Sequence, residues 1–198
     1  SVPKGYEKVD KKTLRFTDEA KFIKEAFLLK REGFINRTII EKVNAKGATL
    51  TKSRLSAYFR NPFYCGYLSS SYLDGEIVRG RHEPLISEEL FLEDVEKTMG
   101  WRETLTLDEM DAGNYDLLIS AWTGTDRVGH MFWHHRDELH PMHTAEGKEK
   151  YGRAVENTYI KMDSIVGKVM GKMDDDDLLM VMSDHGFHSF RKGFNVNT

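Results

Sequence analysis

Two short stretches hold most of the chemistry this sequence offers. Asp126 and His130 stand four residues apart in Trp122-Thr123-Gly124-Thr125-Asp126-Arg127-Val128-Gly129-His130, and Asp184 and His185 are adjacent in Ser183-Asp184-His185-Gly186. A carboxylate oxygen is a hard donor and an imidazole nitrogen a borderline one, so each pair suits a divalent ion, zinc first and manganese or iron after it. Two such pairs suit two ions roughly 3.5–4 Å apart, an arrangement that polarises a phosphoryl group and steadies both the attacking and the leaving oxygen. Either pair alone is a weak signal, because an Asp or His just past a strand is more often a cap or a surface group. The two together are a stronger one.

Each pair follows an apolar run, Tyr115 to Ala121 for the first and Leu178 to Met182 for the second. Read as strands, these runs put both pairs at carboxyl ends, where open α/β sheets bind their ligands, and neighbouring strands would make the four donors converge. Between them, Tyr151, Val155, Tyr159, Met162, Ile165, Val166 and Val169 recur at three- and four-residue spacing, which predicts one long helix from Glu146 to about Met173. Asp174 to Asp177 lack the glycine and glutamate of a calcium loop and read as a solvated turn. His134, His135, His140 and His143, interspersed with Arg136 and Pro141, read as a polar lid or as solvent-exposed rather than as a further metal site; His188 lies near the second motif.

The segment from 115 to 198 resembles the nucleotide pyrophosphatase/phosphodiesterase branch of the alkaline phosphatase superfamily. The likeness rests on Asp126-Arg127-Val128-Gly129-His130-Met131-Phe132-Trp133, on Tyr159-Ile160-Lys161-Met162-Asp163 with Val166-Gly167, on Ser183-Asp184-His185-Gly186-Phe187 and on Asn195-Val196-Asn197. It implies that Asp126 and His130 hold one metal while Asp184 and His185 hold the other. It also implies an earlier aspartate, a Thr or Ser nucleophile and a later histidine. Neither Thr123 nor Thr125 stands in the nucleophile's place, so the catalytic nucleophile is unassigned and the expected site is incomplete in itself.

Residues before about 100 follow a different pattern. Thr17 caps a helix with Phe22, Ile23, Ala26, Phe27 and Leu29 inward, ended by Gly33; a second runs from about Asn36 to Lys46-Gly47; a third runs from Thr51 to about Phe59, where Asn61-Pro62 breaks it. Three short helices on tight turns predict a helix-turn-helix bundle. Tyr64 to Arg81 reads as a hairpin turning at Asp74-Gly75, and Ser87 opens a helix to about Met99. Residues 1–99 resemble the DNA-gripping recombinase domain of large serine recombinases, through Pro3-Lys4-Gly5-Tyr6, Glu32-Gly33, Asn61-Pro62-Phe63-Tyr64-Cys65-Gly66-Tyr67 and His82-Glu83-Pro84-Leu85-Ile86-Ser87. Lys52, Arg54 and Arg60, with Arg79 and Arg81, are the candidate contacts to duplex DNA; the alternative is a solvated charged face. The resemblance places that family's catalytic serine in a preceding domain and its zinc ribbon on cysteines that this sequence lacks.

Charge divides the same way. Residues 1–81 hold 17 Lys and Arg against 9 Asp and Glu, net +8, whereas residues from 101 onward hold 11 against 17, net −6, with seven of the eight histidines. A basic piece favours polyanions and an acidic, histidine-rich one favours cations. The single Cys65 excludes an internal disulfide and fits a reducing, cytoplasmic setting. No apolar run approaches the roughly 20 residues of a membrane span. The expected fold is mixed: a mainly α, helix-turn-helix-like module with a hairpin over 1–100, and an incomplete α/β segment over 101–198. The expected function is a partial two-metal phosphoesterase, acting on phosphate esters or nucleotides, joined to a DNA-binding module in a composite or fragmentary chain. The alternative is a recombinase-type DNA-binding module whose second half is only structural.

Overall fold

The structure, a computed structural model, describes residues 2–69, 77–113 and 115–189. Helix dominates at 54% against 6% strand, and the chain divides into two compact units, Ser1–Lys97 and Thr98–Thr198. The predicted turn at Asp74-Gly75 and the stretch Asn195-Val196-Asn197 lie outside the described residues. Among the described residues, no helix is long and apolar enough to cross a membrane.

The first unit opens with a hairpin that the sequence pattern did not announce, β1 (Tyr6–Lys8) antiparallel to β2 (Leu14–Phe16), with Tyr6 opposite Phe16. Its turn forms because the Asp10 carboxylate accepts from the backbone N–H groups of Lys12 and Thr13, at 2.7 and 2.8 Å, as short polar turn residues do. The three predicted helices follow as α1 (Ala20–Arg31), α2 (Asn36–Asn44) and α3 (Lys52–Arg60). Thr17 does not cap α1; Glu19 occupies that position without a side-chain bond. Thr51 does cap α3, accepting from Arg54 N at 3.3 Å. Asn44 fixes the connection between α2 and α3 from both sides, its amide donating to Leu50 O at 3.0 Å and its oxygen accepting from Leu50 N at 2.7 Å. Gly47, at φ +99, turns the chain there. Ile23, Phe27, Ile39, Val43, Leu55 and Phe59 form the buried centre. A 3₁₀ turn (Pro62–Cys65) leads into β3 (Tyr67–Ser69), antiparallel to β4 (Ile77–Arg79). Tyr64 is fully buried and donates to Lys4 O at 2.9 Å, tying the N-terminal segment to this core.

The next helix, α4, runs unbroken from Glu88 to Ala112, past the expected end at Met99. Gly100 costs a helix interior only about 1 kcal/mol, too little to stop it when both flanks are good helix formers. The second unit differs more from expectation. Tyr115 to Ala121 and Leu178 to Met182 are not strands; Ile119 is 81% exposed and Leu178 87%. An apolar strand of a parallel sheet is held by ladder partners and by helices on both faces, and no strand ladder forms among the described residues of this unit. The strand pairing expected at these two runs is therefore absent among the described residues, where helices carry the unit: α5 (Gly124–Arg136), α6 (Ala145–Tyr151) and α7 (Ala154–Met170). The single helix expected over 146–173 breaks at Gly152-Arg153 into α6 and α7, with Thr144 capping α6 through Gly147 N at 3.1 Å.

Glu103, on the part of α4 within this unit, is buried and accepts from both Lys161 and Lys168 of α7. These bonds, Lys161's first, hold its carboxyl below the ordinary value, against the opposing effect of burial. A depressed carboxyl stabilises the fold above its ordinary value near 4.5 and loses that contribution as pH falls through the folded value. Glu103→Gln is expected to cost about 1–2 kcal/mol at pH 7, a modest figure because the lysines are 41% and 51% exposed and recover hydration. Urea unfolding at pH 7 and pH 3 checks this; the difference between the two proteins shrinks in acid.

Candidate metal centre

Asp126 and His130 sit on α5, a helix that the sequence pattern does not announce. Asp126 lies in its first turn, where a carboxylate complements the positive end of the helix dipole, and His134, His135 and Arg136 lie in its last. Val128, Met131 and Phe132 form the buried side, which packs against α7. The four-residue spacing leaves Asp126 and His130 on one partly exposed face, with His130 Nε2 3.3 Å from Asp126 Oδ1.

The Ser183–Ser189 segment lies along α5 and brings the second motif to the first. His185 Nε2 lies 3.7 Å from the same Asp126 Oδ1. Ser183 Oγ donates to His185 O at 2.6 Å, and His185 N meets Asp184 Oδ1 at 3.1 Å, so the turn is fixed locally. His185 Nδ1 faces Gly186 O at 3.0 Å; donation there would leave the Nε2 lone pair, 3.7 Å from Asp126 Oδ1, available to a cation. That carbonyl first, and the Asp184 and Asp126 carboxylates after it, raise the His185 pKa above its ordinary value. Asp184 is the outlying member, 90% exposed in its side chain, with Oδ2 3.8 Å from His185 Nε2. Further along, Ser189 is buried and donates to Asp137, the residue after α5.

Whether these residues fit a metal is a question of donor spacing. Two ligands on one tetrahedral ion, each bonded at 2.0–2.2 Å, lie about 3.3–3.6 Å apart. The observed 3.3 and 3.7 Å each lie near that edge, but the Asp126, His130 and His185 donor atoms are not all within 4.8 Å of one another, so the two imidazoles flank the carboxylate without sharing one tetrahedral position set. The grouping differs from the one the motifs imply, since Asp126 Oδ1 has a histidine from each motif beside it.

Of the remaining histidines, His140 and His143 are half-buried and His188 is exposed, while the expected exposure fails at two positions. His134 and His135 are buried, their rings 3.8 Å apart, and His135 lies 5.2 Å from the Tyr151 ring. The last turn of α5 directs them inward toward α6, so the helix that the pattern did not disclose also reverses their expected exposure. Two residues near the centre carried no chemical signal in the sequence: Phe187, whose ring meets His130, and Gly129, which lies against that ring.

Of the candidate DNA contacts, Lys52, Arg54 and Arg60 lie exposed on α3, Arg79 on β4 over the Tyr67 ring at 5.1 Å, and Arg81 just beyond it. At about 100° per residue, the outward face of α3 has Ser53 and Ala57 at its middle and Arg54 and Arg60 at its two borders. Arg54 donates to Thr49 O at 3.1 Å and Arg60 to Ser56 O at 3.2 Å.

Residues 7–198 match the family described as type I phosphodiesterase / nucleotide pyrophosphatase. Among solved structures, a complex of an LSR with DNA matches at 31% identity and a TM-score of 0.43, over 50% of this chain and 31% of that one. A second, concerned with the sequence requirements of the Listeria innocua prophage attP site, matches at 28% identity and a TM-score of 0.43, over 56% of this chain and 46% of that one. The chain thus spans about a third of the first and just under half of the second. No curated protein matches it.

Proposed function

The chain belongs to the type I phosphodiesterase / nucleotide pyrophosphatase family, and from that premise we propose that its second unit contributes Asp126, His130, Asp184 and His185 to a two-metal phosphoesterase centre. The observation that carries this reading is the Asp126 carboxylate, set within 3.3 and 3.7 Å of an imidazole from each motif. Zinc is the first expectation from the donor set, with manganese or iron next. Bound ions would polarise a phosphate ester or nucleotide and neutralise charge on its oxygens. The chain's own part is to hold donors: Asp126 supplies a negative oxygen at the junction, His130 a neutral nitrogen from the next turn of α5, and His185 a nitrogen oriented by Gly186. The nucleophile is not among these residues, so metal uptake is the property to measure first.

Metal analysis, with hydrolysis of a nitrophenyl phosphodiester alongside, tests the reading. Asp184→Ala is expected to weaken Zn²⁺ binding about 10-fold, less than a loss at Asp126, because its carboxylate stands mostly in water. Protein that takes up neither Zn²⁺ nor Mn²⁺ and is indifferent to Asp184→Ala ends it.

The outward face of α3 favours a second activity, in the first unit. Small Ser53 and Ala57 between Arg54 and Arg60 would let the helix approach duplex DNA while cations meet phosphates on either side, and Lys52, Arg79 and Arg81 add to the same charge. Arg54→Ala and Arg60→Ala are each expected to weaken duplex binding and to flatten its log–log salt dependence by about one unit. Fluorescence anisotropy across a salt series measures both, and no binding at low salt removes this reading.

A further inference from the structure

The Phe187 ring stands at the junction of the two metal-ligand motifs. It meets the His130 ring edge-on at 4.8 Å, the Trp133 ring at 5.6 Å and the His185 ring at 6.0 Å. Beneath it lies Gly129, in the middle of α5. A Cβ built there would come within 2.8–3.0 Å of three carbons of the Phe187 ring, closer than van der Waals contact permits. Glycine inside a helix costs roughly 0.5–1 kcal/mol relative to alanine. Gly129 has an ordinary helical backbone, without the positive φ that would call for glycine, so its use here is the space it leaves for the ring. Phe187 is only two residues from His185 in sequence and lies over α5 at Gly129, His130 and Trp133, so the depth at which it seats sets how close His185 comes to the helix that carries Asp126.

We infer that Phe187, seated on Gly129, is the positioning residue that registers the His185 turn against α5 and so sets the spacing of the metal donors. This rests on the metal-centre reading proposed above. Phe187 ligates nothing itself; it acts through His130 and His185. The nearby bond from Ser189 to Asp137 anchors the same segment to the end of α5, but it touches neither imidazole.

The two sides of the contact separate positioning from stability. Gly129→Ala improves intrinsic helix propensity, so α5 stays folded, yet its methyl lifts the Phe187 ring. The expected result is Zn²⁺ affinity lowered about 10-fold or more, with helical circular dichroism unchanged and a melting temperature equal or higher. Phe187→Ala is expected to weaken Zn²⁺ by a similar factor. The double replacement Gly129→Ala/Phe187→Leu removes ring atoms where the methyl was added and is expected to regain part of the affinity. In metal-free protein, the His130 and His185 ring-proton resonances report the seating directly, since both shift when the Phe187 ring current is removed. Unchanged Zn²⁺ affinity in Gly129→Ala and Phe187→Ala, with the unsubstituted chain binding normally, overturns the role of Phe187 and leaves the metal centre standing. No Zn²⁺ or Mn²⁺ binding by the unsubstituted chain overturns both.

Discussion

Asp126→Ala is expected to lower Zn²⁺ affinity on the order of 100-fold or more, about 2.7 kcal/mol. Three features concentrate the effect on this residue. Its Oδ1 is the carboxylate oxygen nearest the imidazole of each motif, so its loss removes a donor and leaves His130 and His185 with no carboxylate oxygen between them. It supplies the negative charge that offsets a divalent cation there, whereas the histidines ligate as neutral groups. Asp184, the other carboxylate, is farther out and mostly hydrated. Loss of an acidic side chain from the first turn of α5 costs the helix only about 0.3–1 kcal/mol, so the fold is expected to persist and circular dichroism serves as the control. Asp126→Asn keeps an oxygen but not the charge, and is expected to fall between the unsubstituted chain and Asp126→Ala. Titration calorimetry with Zn²⁺ reads all three; equal affinities would remove Asp126 from the centre.

The donor residues stood out in the sequence more plainly than the scaffold that positions them. Asp126, His130, Asp184 and His185 stand out by donor type and spacing, and the fold sets His130 and His185 beside the Asp126 carboxylate. Their means of gathering was misread, because an apolar run such as Leu178 to Met182 satisfies the pattern of a buried strand whether or not a ladder partner exists. Periodicity reports what a segment can pair with, and pairing itself is a property of the rest of the fold. Helix α5 was missed for a related reason. Gly124, Gly129 and three histidines lower its intrinsic propensity, and the helix is held by burial of Val128, Met131 and Phe132. Phe187 and Gly129 illustrate a further limit, since an aromatic residue and a glycine 58 positions apart show no sequence relation until the ring is seen on the helix.

In the first unit the pattern was a better guide, because the interactions are local. Thr51 capping α3, glycine at Gly33 and Gly47, and Asn61-Pro62 ending the third helix each act within a few residues, and each is where the sequence placed it. The hairpin β1–β2 was missed because its strands are three residues long, too short for alternation to register. The turn at Asp10 was its only local sign.

The largest expected stability effect lies in that unit. Phe27→Ala is expected to cost about 3–5 kcal/mol, the range for truncating a buried aromatic side chain. Phe27 is essentially fully buried on α1; its ring meets Phe59 of α3 at 4.9 Å, near-perpendicular, and Tyr64 of the 3₁₀ turn at 6.1 Å. One side chain therefore joins α1, α3 and the turn that Tyr64 ties back to Lys4. Small domains retain only about 5–15 kcal/mol in total, so the change removes roughly a fifth or more of it. Phe27→Leu keeps most of the volume and is expected to cost about 1–1.5 kcal/mol. The two variants also distinguish burial from charge in the second activity proposed. Phe27→Ala is expected to release α3 and abolish duplex binding by loss of structure, read as lost amide protection across α1 to α3. Arg60→Ala is expected to weaken binding with that protection intact. If amide protection survives Phe27→Ala unchanged, α3 is held by contacts other than this aromatic cluster.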